Sequence, residues 1–161
     1  MHREELNRIA AEHRQSLDQF GHHILVCAGL GCPRNEEIIA ALRRTVSEQQ
    51  LEHAVLVRKV GCMGLCASGP IVLIQPGEQY YQNVQPEDAP AIVAALNKEP
   101  VPHLLLPADL PFFTRQHKNV LALSGRIDPE SLGDYLAAGG YQALLTVLTT
   151  MRPTDVIRCI Q

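Results

Sequence analysis

The chain has 161 residues, 46% of them hydrophobic, and a formal net charge of −3. That size and composition allow a packed core, and the mild acidity argues against a nucleic-acid binder, which would carry a basic patch or stripe. No run approaches the roughly 18 to 20 apolar residues of a membrane span, and the polar opening MHREELNRIAAEHRQSLDQF lacks the apolar region of a secretory signal.

Leu6, Ile9, His13, Leu17 and Phe20 recur at helical spacing among charges, which predicts an amphipathic helix over 3–20 packed on its neighbour. HHILVCAG then reads as a short strand ending at Cys27. After CAGLGC, Asn35 is the expected cap of a second helix. Glu36 and Glu37 lie in its first turn, and Ile38, Ile39, Leu42 and Val46 form the buried stripe. HAVLVRKV is the next strand. The loop GCMGLCASGP follows, then the strand IVLIQ, a Pro76-Gly77 turn and the returning strand QYYQNV. Pro86-Glu87-Asp88 starts a helix with Ile92, Val93 and Leu96 facing inward.

Two strands joined through a helix predict a parallel, right-handed βαβ unit, and the two joined by Pro-Gly predict an antiparallel hairpin. This is the order of a thioredoxin-like α/β layer over residues 21–100, behind an N-terminal helical extension, 1–20. PVPHLLLPADLP, residues 100–111, holds four prolines and makes 101–111 a stiff linker. Within 112–161, Asp128 and Pro129 predict a helix start and Gly139-Gly140 its stop. YQALLTVLTT begins a second helix and Pro153-Thr154-Asp155 a third. Three short helices with little room for a core suggest the beginning of a further domain.

The five cysteines are Cys27, Cys32, Cys62, Cys66 and Cys159. An odd count without a signal peptide fits a reducing, cytoplasmic setting, where paired cysteines more often hold metal than form disulfides. Four of them make two pairs, Cys27-x4-Cys32 and Cys62-x3-Cys66, each after a predicted strand. Parallel strands would put both ends at one edge of the sheet, so the pairs can converge. Neither pair has the C-x-x-C spacing of a redox disulfide. Four thiolates suit one tetrahedral zinc, and they also suit a [2Fe–2S] cluster, two per iron. The loops are long and glycine-rich (Gly29, Gly31, Gly61, Gly64, Gly69), which lets backbone N–H groups close on sulfur. Leu30, Met63 and Leu65 would limit water access. Spacing alone leaves both metals open, although plant-type and Rieske cluster spacings are both missing.

The stretches CAGLGC and VGCMGLCASGP, on this strand order, resemble the thioredoxin-like [2Fe–2S] ferredoxins, which occur alone and as a module of complex I and related NAD-linked dehydrogenases. The resemblance implies that Cys27, Cys32, Cys62 and Cys66 are the cluster ligands. It also implies a cis peptide at Pro70. The segment from PFFTRQHKNVLALSGRIDPESLG to Gln161 looks like the opening of the flavoprotein subunit of those enzymes, whose FMN- and NADH-binding loop would follow Gln161. The combined layout most resembles the diaphorase subunit of bidirectional NAD-reducing hydrogenases; formate dehydrogenases and electron-bifurcating hydrogenases share it. These resemblances imply one-electron transfer, with FMN and NAD(P)H bound beyond this chain. The implied partners are the FMN domain of the same polypeptide and other subunits of a complex. No catalytic acid, base or nucleophile stands out. A zinc-stabilised interaction module is the alternative from another class.

Other features suggest packing. His22-His23 read as strand-edge histidines and His13 as part of a helix face. Cys159 reads as a small buried hydrophobe beside Ile157 and Ile160, and Tyr80-Tyr81 as a pair split between two sheet faces. Phe112-Phe113 are expected to dock the linker onto the C-terminal domain.

Overall fold

A computed structural model describes residues 3–107 and 109–161. Helix α1, Arg3–Asp18, leads into strand β1, His22–Cys27, and helix α2, Asn35–Glu48, then crosses to β2, Val55–Val60. β3, Val72–Gln75, and β4, Gln79–Tyr81, form the hairpin, followed by α3, Ala89–Ala94, and a fifth strand, β5, Leu105–Leu106. Four more helices close the chain: α4, Pro111–Thr114; α5, Leu132–Ala137; α6, Gln142–Thr150; and α7, Pro153–Ile160.

The strands form one sheet in the order β2-β1-β3-β4-β5. β1 and β2 run parallel, with His22 opposite Val55 and Cys27 opposite Val60, and every other pairing is antiparallel. Period-2 alternation divides the side chains between two faces. Ile24, Val26, Val57, Val72, Ile74 and Tyr81 pack under Ile38, Leu42, Val46, Ile92 and Val93 of α2 and α3. Leu25, Cys27, Val60, Leu73 and Tyr80 form the other face, with Met63 and Leu106. Tyr80 and Tyr81 are divided as the alternation requires. Both Gly69-Pro70 and Gln75-Pro76 are cis.

Three local expectations are corrected. Asn35 does not cap α2: the chain enters through Arg34 at φ 58°, which puts Asn35 inside the first turn, and Arg34 bonds Glu37 and Gln85 instead. The proline-rich 101–111 stretch is not a bare linker. Leu105 and Leu106 satisfy the open edge of β4, and Gln82 N–H donates to Leu104 O at 2.8 Å. Pro102 and Pro107 flank this two-residue strand, and an edge strand tolerates proline there. Residues 128–131 form a turn, closed by Ser131 N–H on Asp128 O at 3.1 Å. Helix α5 begins only after it, with Ser131 Oγ accepting the Asp134 N–H. The stop at Gly139-Gly140 does form. Gly139 has φ 92°, Gly140 N–H bonds Tyr135 O, and Gly139 N–H bonds Leu136 O, the paired bonds of a Schellman ending.

The neighbour that α1 covers is α5, with Leu6 and Ala10 against Leu136. Asp134, 4% exposed, ties this unit to the sheet. It receives His13 Nε2 at 2.7 Å on one carboxylate oxygen. The other oxygen takes the Arg58 guanidinium from β2 and the Asp128 N–H. Burial by itself would raise the Asp134 carboxyl. The Asp128 N–H, His13 and Arg58 together outweigh it and hold the group below its ordinary range. A depressed carboxylate stabilises the fold above its unfolded pKa and loses that contribution as pH falls through the folded value. Asp134→Ala is therefore expected to cost about 3 kcal/mol at neutral pH, as for one broken partner of a buried pair. Asp134→Asn should flatten the loss of stability below about pH 4. Denaturant titrations between pH 3 and 7 measure both.

Candidate metal centre

The parallel register of β1 and β2 places two loops side by side. Ala28 N–H, just past β1, donates to Val60 O at the end of β2, 2.9 Å away. From that shared base one loop carries Cys27 and Cys32, both buried. The other carries Cys62, half-buried, and Cys66, exposed. All are free thiols. Cys27 ends its strand with its N–H on Ile71 O at 3.0 Å, and Cys32 closes a tight turn through its N–H on Gly29 O at 2.9 Å.

The first loop pairs its own two sulfurs, and the second loop closes against it. Cys32 Sγ lies 3.2 Å from Cys27 Sγ. The Met63 N–H, from the second loop, points at Cys27 Sγ at 3.4 Å, and Gly64 N–H at Cys62 Sγ at 3.3 Å. Glycines make the approach possible. A Cβ on Gly29 would lie 2.9 Å from Cys62 Cβ, and one on Gly31 would lie 3.2 Å from Cys66 Sγ. The structure thus sets the Cys27–Cys32 loop directly against the Cys62–Cys66 loop.

Burial and neighbouring sulfurs disfavour the thiolates of Cys32 and Cys62. Burial, then the hydrogen bond with Cys27, then the other sulfurs push the Cys32 thiol up to about 12. At Cys62 the Gly64 N–H pulls downward, but burial and the Cys27 and Cys66 sulfurs outweigh it, and the net direction is upward. A cationic centre bridging the sulfurs would take the place of those protons. The donor set fits such a centre: four thiols, two backbone N–H groups aimed at sulfur, and glycines where a Cβ would fill the cradle.

Other residues fall differently from expectation. Leu30 shields nothing: it is fully exposed at the tip of a loop that projects past β1, which leaves the screening to buried Met63 and half-buried Leu65. Cys159 is exposed, because α7 also turns Ile157 and Ile160 outward. His22 and His23 start β1, roughly 15 Å from Cys27 at ~3.3 Å per residue, and cannot reach the site. His22 Nε2 meets Asn97 Oδ1 at 3.0 Å. Burial, then Arg58, hold the His23 imidazole below its ordinary value. Phe112 and Phe113 dock α4 onto the sheet and the cysteine loop. Phe113 stacks on Tyr80 with centroids 4.5 Å apart, on an apolar face that α4 covers, and Phe112 lies over Gly64.

One set of contacts has no signal in the sequence. Ser124 Oγ donates to Cys62 O, 62 positions away, and Gly61 N–H donates to Ile127 O at 2.9 Å. The C-terminal segment therefore grips the second cysteine loop, and no periodicity or motif links the two stretches.

The sequence profile of the thioredoxin-like [2Fe–2S] ferredoxins matches residues 14–97. A 2Fe–2S ferredoxin of Clostridium pasteurianum is 33% identical over 82 residues, 45% of this chain and 80% of that protein. A 2Fe–2S ferredoxin of Aquifex aeolicus is 33% identical over 88 residues, 53% of this chain and 78% of that one. The crystal structure of the wild-type thioredoxin-like [2Fe–2S] ferredoxin from Aquifex aeolicus superposes with a TM-score of 0.49 at 29% identity, over 55% of this chain and 98% of that one. The matched residues include both cysteine loops and strands β1 to β4, and the chain belongs to the thioredoxin-like [2Fe–2S] ferredoxin family.

Proposed function

We propose that Cys27, Cys32, Cys62 and Cys66 hold the [2Fe–2S] cluster of this ferredoxin. We further propose that residues 98–161 link it to an NAD(P)H-dependent flavoprotein. On this reading the chain is the N-terminal part of a dehydrogenase or diaphorase subunit of the bidirectional-hydrogenase type. Ferredoxin-type electron transfer itself comes with the family. The observation that carries the ligand assignment is the close approach of the two cysteine loops, with Gly29 and Gly31 against Cys62 and Cys66 and the Met63 N–H of one loop turned onto Cys27 Sγ of the other. A two-iron cluster takes four thiolates as two pairs.

Bound there, the cluster would supply one-electron exchange. The chain's own residues do the rest. The thiolates hold the irons, and the Met63 and Gly64 N–H groups offset negative charge on sulfur. Met63 and Leu65 keep water from the inner side. Cys66 forms the outer rim, the point of closest approach for an electron partner. The flavoprotein link is supported by the resemblance of residues 112–161 and by the direct seat of that segment on the Cys62 loop. FMN and NAD(P)H would bind outside these residues, in a further domain or in partner subunits of a cytoplasmic complex. The equivalent subunit of a formate dehydrogenase or an electron-bifurcating hydrogenase fits the same layout. No helix among the described residues is long and apolar enough to cross a membrane.

Anaerobically purified chain is expected to be brown, with about two iron and two sulfide per chain and an EPR signal on reduction. Alanine at Cys27, Cys32, Cys62 or Cys66 should remove that signal, and Cys159→Ala should keep it. Colourless protein holding one zinc would overturn the assignment. Gly29→Ala should lower iron and sulfide content severalfold, because the added methyl meets Cys62 at 2.9 Å. NADH should reduce the cluster only when an FMN-bearing polypeptide is added; reduction by NADH alone would refute the link.

A further inference from the structure

The family match ends at residue 97, yet the cysteine loop 61–66 is held mainly from beyond it. Gly61 N–H bonds Ile127 O at 2.9 Å, and Ser124 Oγ bonds Cys62 O at 2.5 Å. Gly125, at φ +76°, presses on Met63 so closely that a Cβ there would lie 2.8 Å from Met63 Cγ and 3.4 Å from Met63 Cα. On the other side, a Cβ on Gly64 would lie 3.1 Å from Phe112 Cζ. Met63 and Gly64 are the residues whose N–H groups point at Cys27 Sγ and Cys62 Sγ. Each of those donors therefore sits on backbone clamped by the segment 111–127.

We infer that residues 111–127 are a positioning element for the cluster, in which Ser124 and Gly125 hold the Met63 and Gly64 N–H groups on sulfur and so set its reduction potential. The inference rests on the ligand assignment above. N–H donors stabilise the added negative charge of the reduced state more than the oxidised state, so a loop held in place raises the potential and a released loop lowers it. Neither residue needs to touch the cluster; both act through backbone.

The test uses the full chain loaded with cluster, as wild type, Ser124→Ala, Gly125→Ala and Ser131→Ala. The last variant removes the α5 cap, whose hydroxyl bonds the Asp134 N–H, and controls for general loss of stability. Potential is read by EPR-monitored redox titration. At the wild-type midpoint, Ser124→Ala and Gly125→Ala should raise the oxidised-to-reduced ratio up to about tenfold, which is about 59 mV for one electron. Their EPR g-values should move too. In the cluster-free chain, amide exchange at residues 61–66 should quicken in both variants, with Ser131→Ala unchanged on every readout. A wild-type potential, spectrum and exchange rate in Ser124→Ala would overturn the inference. So would an equal shift in Ser131→Ala. Should Gly125→Ala not load cluster, Ser124→Ala decides alone. A wild-type chain with no two-iron signal would instead refute the ligand assignment, and the exchange measurement would still decide whether 111–127 holds the loop.

Discussion

The parallel pairing of β1 with β2 is the constraint from which the site follows. It sets Cys27 opposite Val60, so both strands leave the sheet at the same edge and their loops start a few ångströms apart. An antiparallel pairing of the same two strands would send the loops to opposite edges and separate the sulfurs by the length of the sheet. The pairing is secured by burial: Ile24, Val26, Val55 and Val57 all turn to α2, the helix that makes the crossover. A slip of one residue would turn those side chains to the wrong face.

Where the two cysteine loops close, burial, then the hydrogen bond with Cys27, then the other sulfurs push the Cys32 thiol up to about 12. Glycine lets the loops meet, and backbone amides supply donors without bulk. The same division of work appears at Asp134, where a buried carboxylate is held ionised by an N–H, an imidazole and a guanidinium from three parts of the chain. That second node joins α1 and α5 to β2. Residues before and after the ferredoxin core thus grip each other and the sheet.

The C-terminal segment is joined to the cysteine loop more closely than an appended tail would be. Phe113 on Tyr80, Phe112 over Gly64 and Ser124 on Cys62 O make it part of the wall around the sulfurs. This ties the loop's geometry to the segment that follows the ferredoxin core. Strand β5 continues the same theme, since it brings the chain along the edge of β4 before α4 crosses the sheet face.

Much of this was legible in the residues because it depends on local patterning. Alternation in HHILVC and HAVLVRKV, the helical stripe from Ile38 to Val46 and the Pro-Gly turn specify elements whose signals lie within one or two turns of chain. The cysteine pairs were legible because each directly follows a strand. Local signals failed where a distant group intervened. Asp128 looked like a helix cap, but Ser131 N–H closes a turn on Asp128 O and Ser131 Oγ caps the helix that begins at Leu132. The proline-rich stretch looked like a linker, but the open edge of β4 recruits Leu105 and Leu106. His13 gave no sign of Asp134, nor Cys62 of Ser124. The sequence by itself determined the succession of β1 to β4 along the chain, the helical crossover between β1 and β2, and the two cysteine pairs that follow those strands. Only the tertiary structure decided which backbone amides face sulfur and which segment holds them there, because those contacts join residues far apart in the chain and depend on packing that no periodicity encodes.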